Sequence, residues 1–267
     1  ISYSVYCLSK FCLAIELVLN EWYNIYRYLR TEKREKMRGD KCIILNDSKK
    51  RLKWSIRNYF FVTTLLIILI NYIVFFAYGK PSGGIVYEQP EWSSFSITNL
   101  LIAMSHCYMH SGSQHCALNM LCFFVVGIYL ERKMGSLRLL TLVITMTAFT
   151  AFATTANYLS LTPVGFSGVN YGIYGFIIVD YIFMFFQREK HSRLNIISGA
   201  VVLALIYFAM CFNGGTSTMS FVPYPYDLTH NIGHASGFVV GFLFGLYEGI
   251  VLLIEKLSRR KDEQVRS

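Results

Sequence analysis

The chain contains six long apolar segments separated by shorter polar stretches. A helix of about 20 apolar residues crosses a bilayer core of roughly 30 Å, and fewer suffice where a protein thins the membrane. A transmembrane barrel would instead show alternating segments of about ten residues. The pattern therefore predicts an all-α membrane protein with six transmembrane helices. The predicted spans are residues 59–78, 115–130, 137–158, 167–186, 196–212 and 230–254.

Composition agrees with a membrane protein. Of the 267 residues, 54% are hydrophobic and 15% are charged, and the mean hydropathy is +0.41. A formal net charge of +9 is also found in nucleic-acid-binding proteins, but here the basic residues lie in short flanks between apolar runs. We therefore predict the lipid bilayer as a partner and no nucleic acid.

The distribution of lysine and arginine predicts an orientation, because retained positive charge favours the cytoplasmic side. If the N-terminus is cytoplasmic, only Lys80 of the 25 basic residues falls in an outward loop. A wrongly counted helix would have scrambled this division. We therefore expect a multi-pass protein with both termini in the cytoplasm.

The same pattern predicts three regions. Residues 1–57 form a basic cytoplasmic N-terminal region, residues 58–255 the membrane domain, and residues 256–267 a basic cytoplasmic tail. The chain starts with isoleucine, so we expect a fragment or a processed form.

The outward segment 79–114 is much longer than the other loops, and we expect it to be structured, with a short helix in the membrane interface. The apolar positions that suggest this helix are Trp92, Phe95, Ile97, Leu100, Leu101 and Met104.

Three polar clusters interrupt the apolar segments, each near the outer start of an even-numbered span. Strongly polar side chains are costly inside a membrane, so they indicate a partner or a function. Because these spans all enter from the outer side, we expect the clusters at one depth. The clusters are His115 with Asn119, then Gly165, Phe166, Ser167 and Gly168, and finally His234 with Gly237 and Gly241.

Ser167 and His234 are the candidate nucleophile and base. A serine hydroxyl is a weak nucleophile until an adjacent base takes its proton, and histidine is the usual base near neutral pH. Hydrogen bonding between them requires that spans four and six touch. Glycines allow such a close approach. They recur at every fourth position of span six from 233 to 245, and span four contributes Gly172 and Gly175.

Acyl transfer also needs hydrogen-bond donors where negative charge develops on the carbonyl oxygen. His115 and Asn119 are suitable, since they lie one helical turn apart on the same face. The backbone N–H of Ser167, at the positive end of its helix, is a third candidate. The sequence thus predicts an acyl-transfer site toward the extracytoplasmic side.

In these residues the chain resembles the rhomboid family of intramembrane serine proteases. The family's pattern on the first loop and second span is matched by His106, His110, His115 and Asn119. The family's glycine-x-serine-glycine turn is matched by residues 165–168. The sixth-span histidine and glycines are matched by His234, Gly237 and Gly241. Tyr171 matches a family aromatic that packs against the histidine, and Glu131 with Gly135 resembles the acid and glycine after span two.

The resemblance covers about residues 58–255 and implies a six-helix rhomboid-like bundle. It also implies a Ser167–His234 dyad with no third acid, no cofactor and no metal, and oxyanion stabilisation by His115 and Asn119. Family members cut transmembrane helices of other proteins near their outer ends. Transmembrane protein substrates are therefore the expected partners.

Two other functions are compatible with parts of the pattern. A catalytically silent relative that binds transmembrane clients would share the fold, although such relatives typically lose the serine or the histidine. A channel or transporter would place its polar groups at mid-membrane rather than near one face. The histidines could also form a zinc site. The sequence argues against it, because no carboxylate accompanies them in the pattern of zinc proteases.

Two acidic residues in the spans lie too far from the dyad to serve it. Asp180 is thirteen residues beyond Ser167, about 20 Å along a helix. We expect it to pair with Arg188 or Lys190 or to reach water, and we expect the same of Glu248.

Overall fold

The computed structural model describes residues 61–78, 97–157, 164–186, 193–213, 218–219 and 232–266. In these ranges the chain forms seven helices and one pair of two-residue strands. The predicted region 1–57 and His230 lie outside them. The elements are α1 (Val62–Tyr78), α2 (Ile97–His106), α3 (Ser113–Met134), α4 (Ser136–Asn157), α5 (Ser167–Phe186), α6 (Arg193–Cys211), β1 (Phe212–Asn213), β2 (Thr218–Met219) and α7 (Ile232–Arg266).

Five helices of the described chain are long and apolar enough to cross a membrane, namely α3, α4, α5, α6 and the first 23 residues of α7. The prediction of a helical, multi-pass membrane protein is confirmed in this form. The first predicted span corresponds to α1, a shorter apolar helix of 17 residues. Helix α2 lies within the predicted outer segment, and residues 79–96 of that segment lie outside the described ranges.

Helix α3 is longer than its predicted span, because its apolar run ends before the helix does. The charged residues that follow position 130 form its last turn, where cations interact favourably with the helix dipole. The helix stops at Gly135, which has φ +91° and donates its N–H to the carbonyl of Glu131 at 2.9 Å. Such a left-handed end favours glycine.

Glu131 connects three helices at this point. The first N–H groups of a helix have no acceptor within it, and the Glu131 carboxylate accepts those of Thr63 and Thr64 on α1, at 2.9 Å each. The same carboxylate accepts the hydroxyl of Thr64 at 2.7 Å and that of Ser136 at 2.6 Å. A buried charge is thereby fully hydrogen-bonded, and the start of α1 is fixed against the end of α3.

Helices α5 and α7 run parallel and make the most extensive contact in the described structure. Helix α4 runs antiparallel to both and packs against them through Met146 and Thr150. The side chains on the other faces of α1, α6 and α7 are apolar and exposed, as expected for surfaces that contact lipid. The fold thus sets the starts of α5 and α7 side by side.

Candidate active site

Ser167 and His234 meet where α5 and α7 begin. Ser167 is the first residue of α5, and His234 is two residues after the start of α7. Because these helices are parallel and adjacent, both side chains lie at the same end of the pair. The Nε2 atom of His234 lies 2.7 Å from the Oγ atom of Ser167. This distance allows the hydroxyl to donate its proton to the imidazole.

Tyr171 sets the plane of the His234 ring. The two rings stack with centroids 4.3 Å apart and an interplanar angle of 6°. Tyr171 is buried one turn after Ser167 on α5, and it also contacts the ring of Tyr174. Such stacking restricts the rotation of the imidazole and keeps Nε2 directed at the serine.

Four glycines of the α5–α7 contact allow the helix backbones to touch. A Cβ atom at Gly237 would overlap the carbonyl oxygen of Gly168, and one at Gly241 would overlap that of Gly172. Any larger residue would separate the helices. The separation of Ser167 from His234 therefore depends on glycines that do not take part in the chemistry.

The turn before Ser167 is shaped by Gly165. Its φ of +132° disfavours other residues, and a Cβ atom there would lie 2.7 Å from Cε1 of His115. The Gly165 N–H donates to the carbonyl of His106 at 3.2 Å. The next N–H, of Phe166, donates to Nε2 of His110 at 3.4 Å. The backbone carbonyl of His106 and the ring of His110 thus hold the turn.

Phe166 anchors the turn through its side chain. The ring is fully buried, with its centroid 5.1 Å from that of Phe123 in an edge-on arrangement and 5.6 Å from that of Tyr108. An aromatic cluster of this kind contributes both burial and favourable ring geometry. The cluster therefore holds Phe166, the variable residue x of the glycine-x-serine-glycine pattern, in place.

His115 and Asn119 lie on α3 beside this turn. The Asn119 side chain is buried, and its Nδ2 atom has no hydrogen-bond acceptor in the described part of the chain. His115 Nδ1 lies 3.1 Å from the hydroxyl of Ser111. If that hydroxyl donates, the ring proton sits on Nε2, near Gly165. Two donors then face the turn that precedes Ser167.

The loop histidines are neutral near pH 7. Burial, together with the nearby His115, lowers the pKa of His110 from 6.5 to about 4. Burial alone lowers the pKa of His106. A neutral His110 is required here, because its Nε2 accepts the Phe166 N–H. Among the described residues, no group of three histidine, cysteine or acidic side chains is arranged to hold a metal ion.

The structure gives Asp180 and Glu248 partners that sequence reasoning missed. Asp180 pairs with Lys133 from α3, whereas the suggested partners Arg188 and Lys190 lie outside the described residues. Glu248 pairs with Arg138 at the start of α4. Asp180 lies thirteen residues after Ser167 on α5, and Glu248 lies fourteen residues after His234 on α7. Neither lies beside His234.

Two further polar residues near the site were not singled out from the sequence. Ser111 contacts His115, and the amide of Asn170 on α5 donates to the backbone carbonyl of Asn119 at 3.0 Å. Ser111 lies two positions before α3 begins and precedes His115 by four residues, a separation at which the two side chains can meet. That spacing was the available clue, but it does not distinguish a contact from a solvent-facing pair.

Comparison with known proteins gives two findings. The family model described as Rhomboid domain matches residues 98–250, more than half of the chain, and this range includes both Ser167 and His234. "Rhomboid protease GlpG" from Haemophilus influenzae is 27% identical over 146 residues, which cover 54% of this chain and 68% of that protein.

Proposed function

The chain belongs to the rhomboid family, and we propose that it is an intramembrane serine endopeptidase. It hydrolyses peptide bonds in or near the transmembrane helices of other membrane proteins. The single observation that carries this proposal is the 2.7 Å separation of Ser167 Oγ and His234 Nε2. Nucleophile and base are thus already at hydrogen-bond distance.

The reaction proceeds in two steps. Ser167 Oγ attacks the scissile carbonyl while its proton moves to His234 Nε2, and the imidazolium then gives that proton to the leaving amine. The peptide C–N bond breaks and an ester to Ser167 remains. His234 next takes a proton from water, the resulting hydroxide attacks the ester, and Ser167 regains its proton. No third acid is needed, because stacking on Tyr171 already orients the ring.

His115 and Asn119 stabilise the negative charge on the substrate oxygen. The buried Nδ2 of Asn119 has no acceptor among the described residues, and His115 Nε2 lies on the same side of the turn. Donors held in place before the reaction lower the barrier without rearrangement, by roughly 3 to 4 kcal/mol for one good donor. The Ser167 backbone N–H at the positive end of α5 is a third candidate.

The membrane arrangement belongs to the same proposal. Helix α1 serves as the first of six spans, both termini are cytoplasmic, and the dyad faces the extracytoplasmic side. The division of lysine and arginine residues between the loops supports this orientation. The dyad lies at the starts of α5 and α7, so in this orientation water for the ester arrives from the outer side.

Purified protein in liposomes with a panel of transmembrane substrates tests the proposal. We expect cleavage by the wild type, and loss of cleavage to background for both Ser167→Ala and His234→Ala, since residues that act as a unit lose activity together. A fluorophosphonate probe should label the wild type and not Ser167→Ala. Ser236→Ala is the matched control, because this hydroxyl donates to the Gly233 carbonyl of its own helix, and it should cleave normally.

Each alternative predicts a different outcome. Wild-type protein that binds the substrates but releases no product across the panel would favour the catalytically silent relative. Near-normal cleavage by His234→Ala would remove His234 from the dyad.

A further inference from the structure

Asn170 is a buried polar residue that the dyad does not use. It lies on the first turn of α5, three residues after Ser167, and is 2% exposed. Its side-chain Nδ2 donates to the backbone carbonyl of Asn119 at 3.0 Å and lies 3.5 Å from the side-chain oxygen of Asn119. Both of these contacts of the buried Asn170 amide are therefore with the same residue, Asn119, across the α3–α5 contact.

This contact determines which way the Asn119 amide points. A side-chain amide carries an acceptor oxygen on one side and a donor NH₂ on the other. Because Oδ1 of Asn119 lies toward the NH₂ of Asn170, Nδ2 of Asn119 points away from Asn170. This Nδ2 lies 3.6 Å from where a Cβ atom would stand at Gly165. The flipped amide would bring two NH₂ groups face to face, which is unfavourable.

The orientation of the Asn119 amide matters because its NH₂ group is left without an acceptor among the described residues. Asn119 is buried, and within the ranges that the structure describes its Nδ2 has no acceptor. Leaving a buried donor unpaired costs roughly 1 to 3 kcal/mol. Such a cost is acceptable where the acceptor arrives with the substrate, as at an oxyanion site.

We propose that Asn170 is a positioning residue for the oxyanion donor: its amide holds Asn119 in the orientation that presents Nδ2 to the developing negative charge. The proposal rests on the proposed proteolytic function. Asn170 acts through Asn119 and does not touch the substrate. Its removal should therefore affect the chemical step more than substrate binding.

The test is a double-mutant cycle between positions 119 and 170, read as cleavage kinetics in liposomes. Asn170→Val fills the site with an apolar side chain of roughly similar size and removes the donor, and we expect kcat to fall about tenfold with KM unchanged. Asn119→Ala should cost more. If Asn170 acts only through Asn119, adding Asn170→Val to Asn119→Ala should cause no further loss. Independent effects that multiply, or an unchanged kcat in Asn170→Val, would overturn the proposal.

Asn170→Asp gives a second, nearly isosteric test. At alkaline pH, where the buried acid is ionised, its carboxylate only accepts hydrogen bonds, so it repels the Asn119 oxygen and attracts the Asn119 NH₂ away from the site. We expect a loss of kcat at least as large as that of Asn170→Val, and normal kcat in a folded Asp variant would contradict the proposal. This variant also decides the question if Asn170→Val does not fold.

The control is Asn71→Val on α1, a helix that carries no residue of the site. Asn71 is also a fully buried asparagine whose Nδ2 donates to a backbone carbonyl, that of Ile67, at 2.9 Å. Both valine variants should lower Tm in detergent to a similar degree, but only Asn170→Val should lower kcat. Absence of cleavage by the wild type would refute the proposed function itself, whereas normal kcat in Asn170→Val beside an inactive Ser167→Ala would refute this inference alone.

Discussion

The two ends of the α5–α7 pair are held by different interactions. At the end that carries the dyad, here called the site end, glycines on α7 lie against the carbonyl oxygens of Gly168 and Gly172. At the opposite end, called the far end, Asp180 and Glu248 bind Lys133 on α3 and Arg138 on α4. The helices thus meet backbone to backbone at the site end. At the far end they still pack together, with Gly249 against the ring of Phe183, but each is also tied to a different neighbour by an ion pair.

The difference follows from what each end must do. In the proposed reaction, proton transfer between Ser167 and His234 needs the separation of 2.7 Å to be kept, and backbone contact allows little adjustment. Long ionic side chains can follow small helix movements without breaking contact. We therefore expect changes at the site end to reduce activity first, and changes at the far end to reduce stability first.

The largest effect should come from a side chain inserted into the site-end contact. In Gly237→Val, the new Cβ would overlap the Gly168 carbonyl, and α7 must move away from α5. We expect cleavage to fall by about 100-fold or more, because displacement of catalytic groups by about 1 Å has effects of that size. The measurement is kcat/KM in liposomes, with Tm recorded in parallel.

Gly112→Val is the control for this change. A Cβ at Gly112 meets no atom within 4 Å, and its backbone is extended at φ −179°, so valine fits there. This variant should keep both activity and Tm. Normal cleavage by Gly237→Val would show that the helices do not need backbone contact.

Removal of one partner from the less exposed far-end pair should come next. Arg138→Met leaves the part-buried Glu248 carboxylate without this counter-charge, which should cost about 2 to 3 kcal/mol of unfolding free energy. Denaturant titration in mixed micelles measures this loss. We expect the kcat of the molecules that remain folded to change less than about twofold.

The double variant Arg138→Met with Glu248→Leu separates charge from packing. With both charges gone, most of the lost stability should return. A double variant as unstable as Arg138→Met alone would mean that the guanidinium acts by packing and not as the counter-charge.

Acidification should weaken the site end selectively. His110 accepts the Phe166 N–H only while neutral, and its pKa in the folded protein is about 4, against 6.5 ordinarily. The unfolded chain therefore takes up this proton first as the pH falls, so stability is lost between about pH 6.5 and pH 4. The buried His106 contributes in the same direction. Tm measured between pH 7.5 and 4.5 follows this loss.

His110→Gln provides the comparison for the pH series. Its amide oxygen can accept an N–H and does not titrate in this range. We expect a flatter dependence of Tm on pH than in the wild type. An unchanged slope would assign the acid sensitivity to other groups.

The smallest effect should come from the more exposed far-end pair. The side chains of Lys133 and Asp180 are 31% and 23% exposed, so solvent screens them. Asp180→Asn should cost about 1 kcal/mol or less, with activity unchanged. A loss as large as that of Arg138→Met would show that the two pairs act as one network.

Much of the helical framework could be predicted, because span length and charge distribution act locally. The bounds of α5 agree with the predicted span 167–186, since Gly165 and Phe166 end the preceding loop and charged residues follow Phe186. The recurrence of glycines pointed correctly to close approach between α5 and α7. These features require only the order of residues along one segment.

Contacts between distant segments were not predictable in the same way. Lys133 and Asp180 are 47 residues apart, and Arg138 and Glu248 are 110 apart. Their pairing depends on the lateral order of helices, which a hydrophobic pattern does not encode. The contact of Asn170 with Asn119 was missed for the same reason, because a single asparagine in an apolar helix does not reveal which neighbour it faces.

The carboxylate that caps α1 has a consequence for how the molecule is built during synthesis. Thr63 and Thr64 leave the ribosome well before Glu131, which follows them by 68 and 67 positions. Until α3 arrives, the exposed amides at the start of α1 must stay solvated or find temporary acceptors. Final seating of the first helix therefore waits for a later part of the chain, and insertion and assembly are separate events in time.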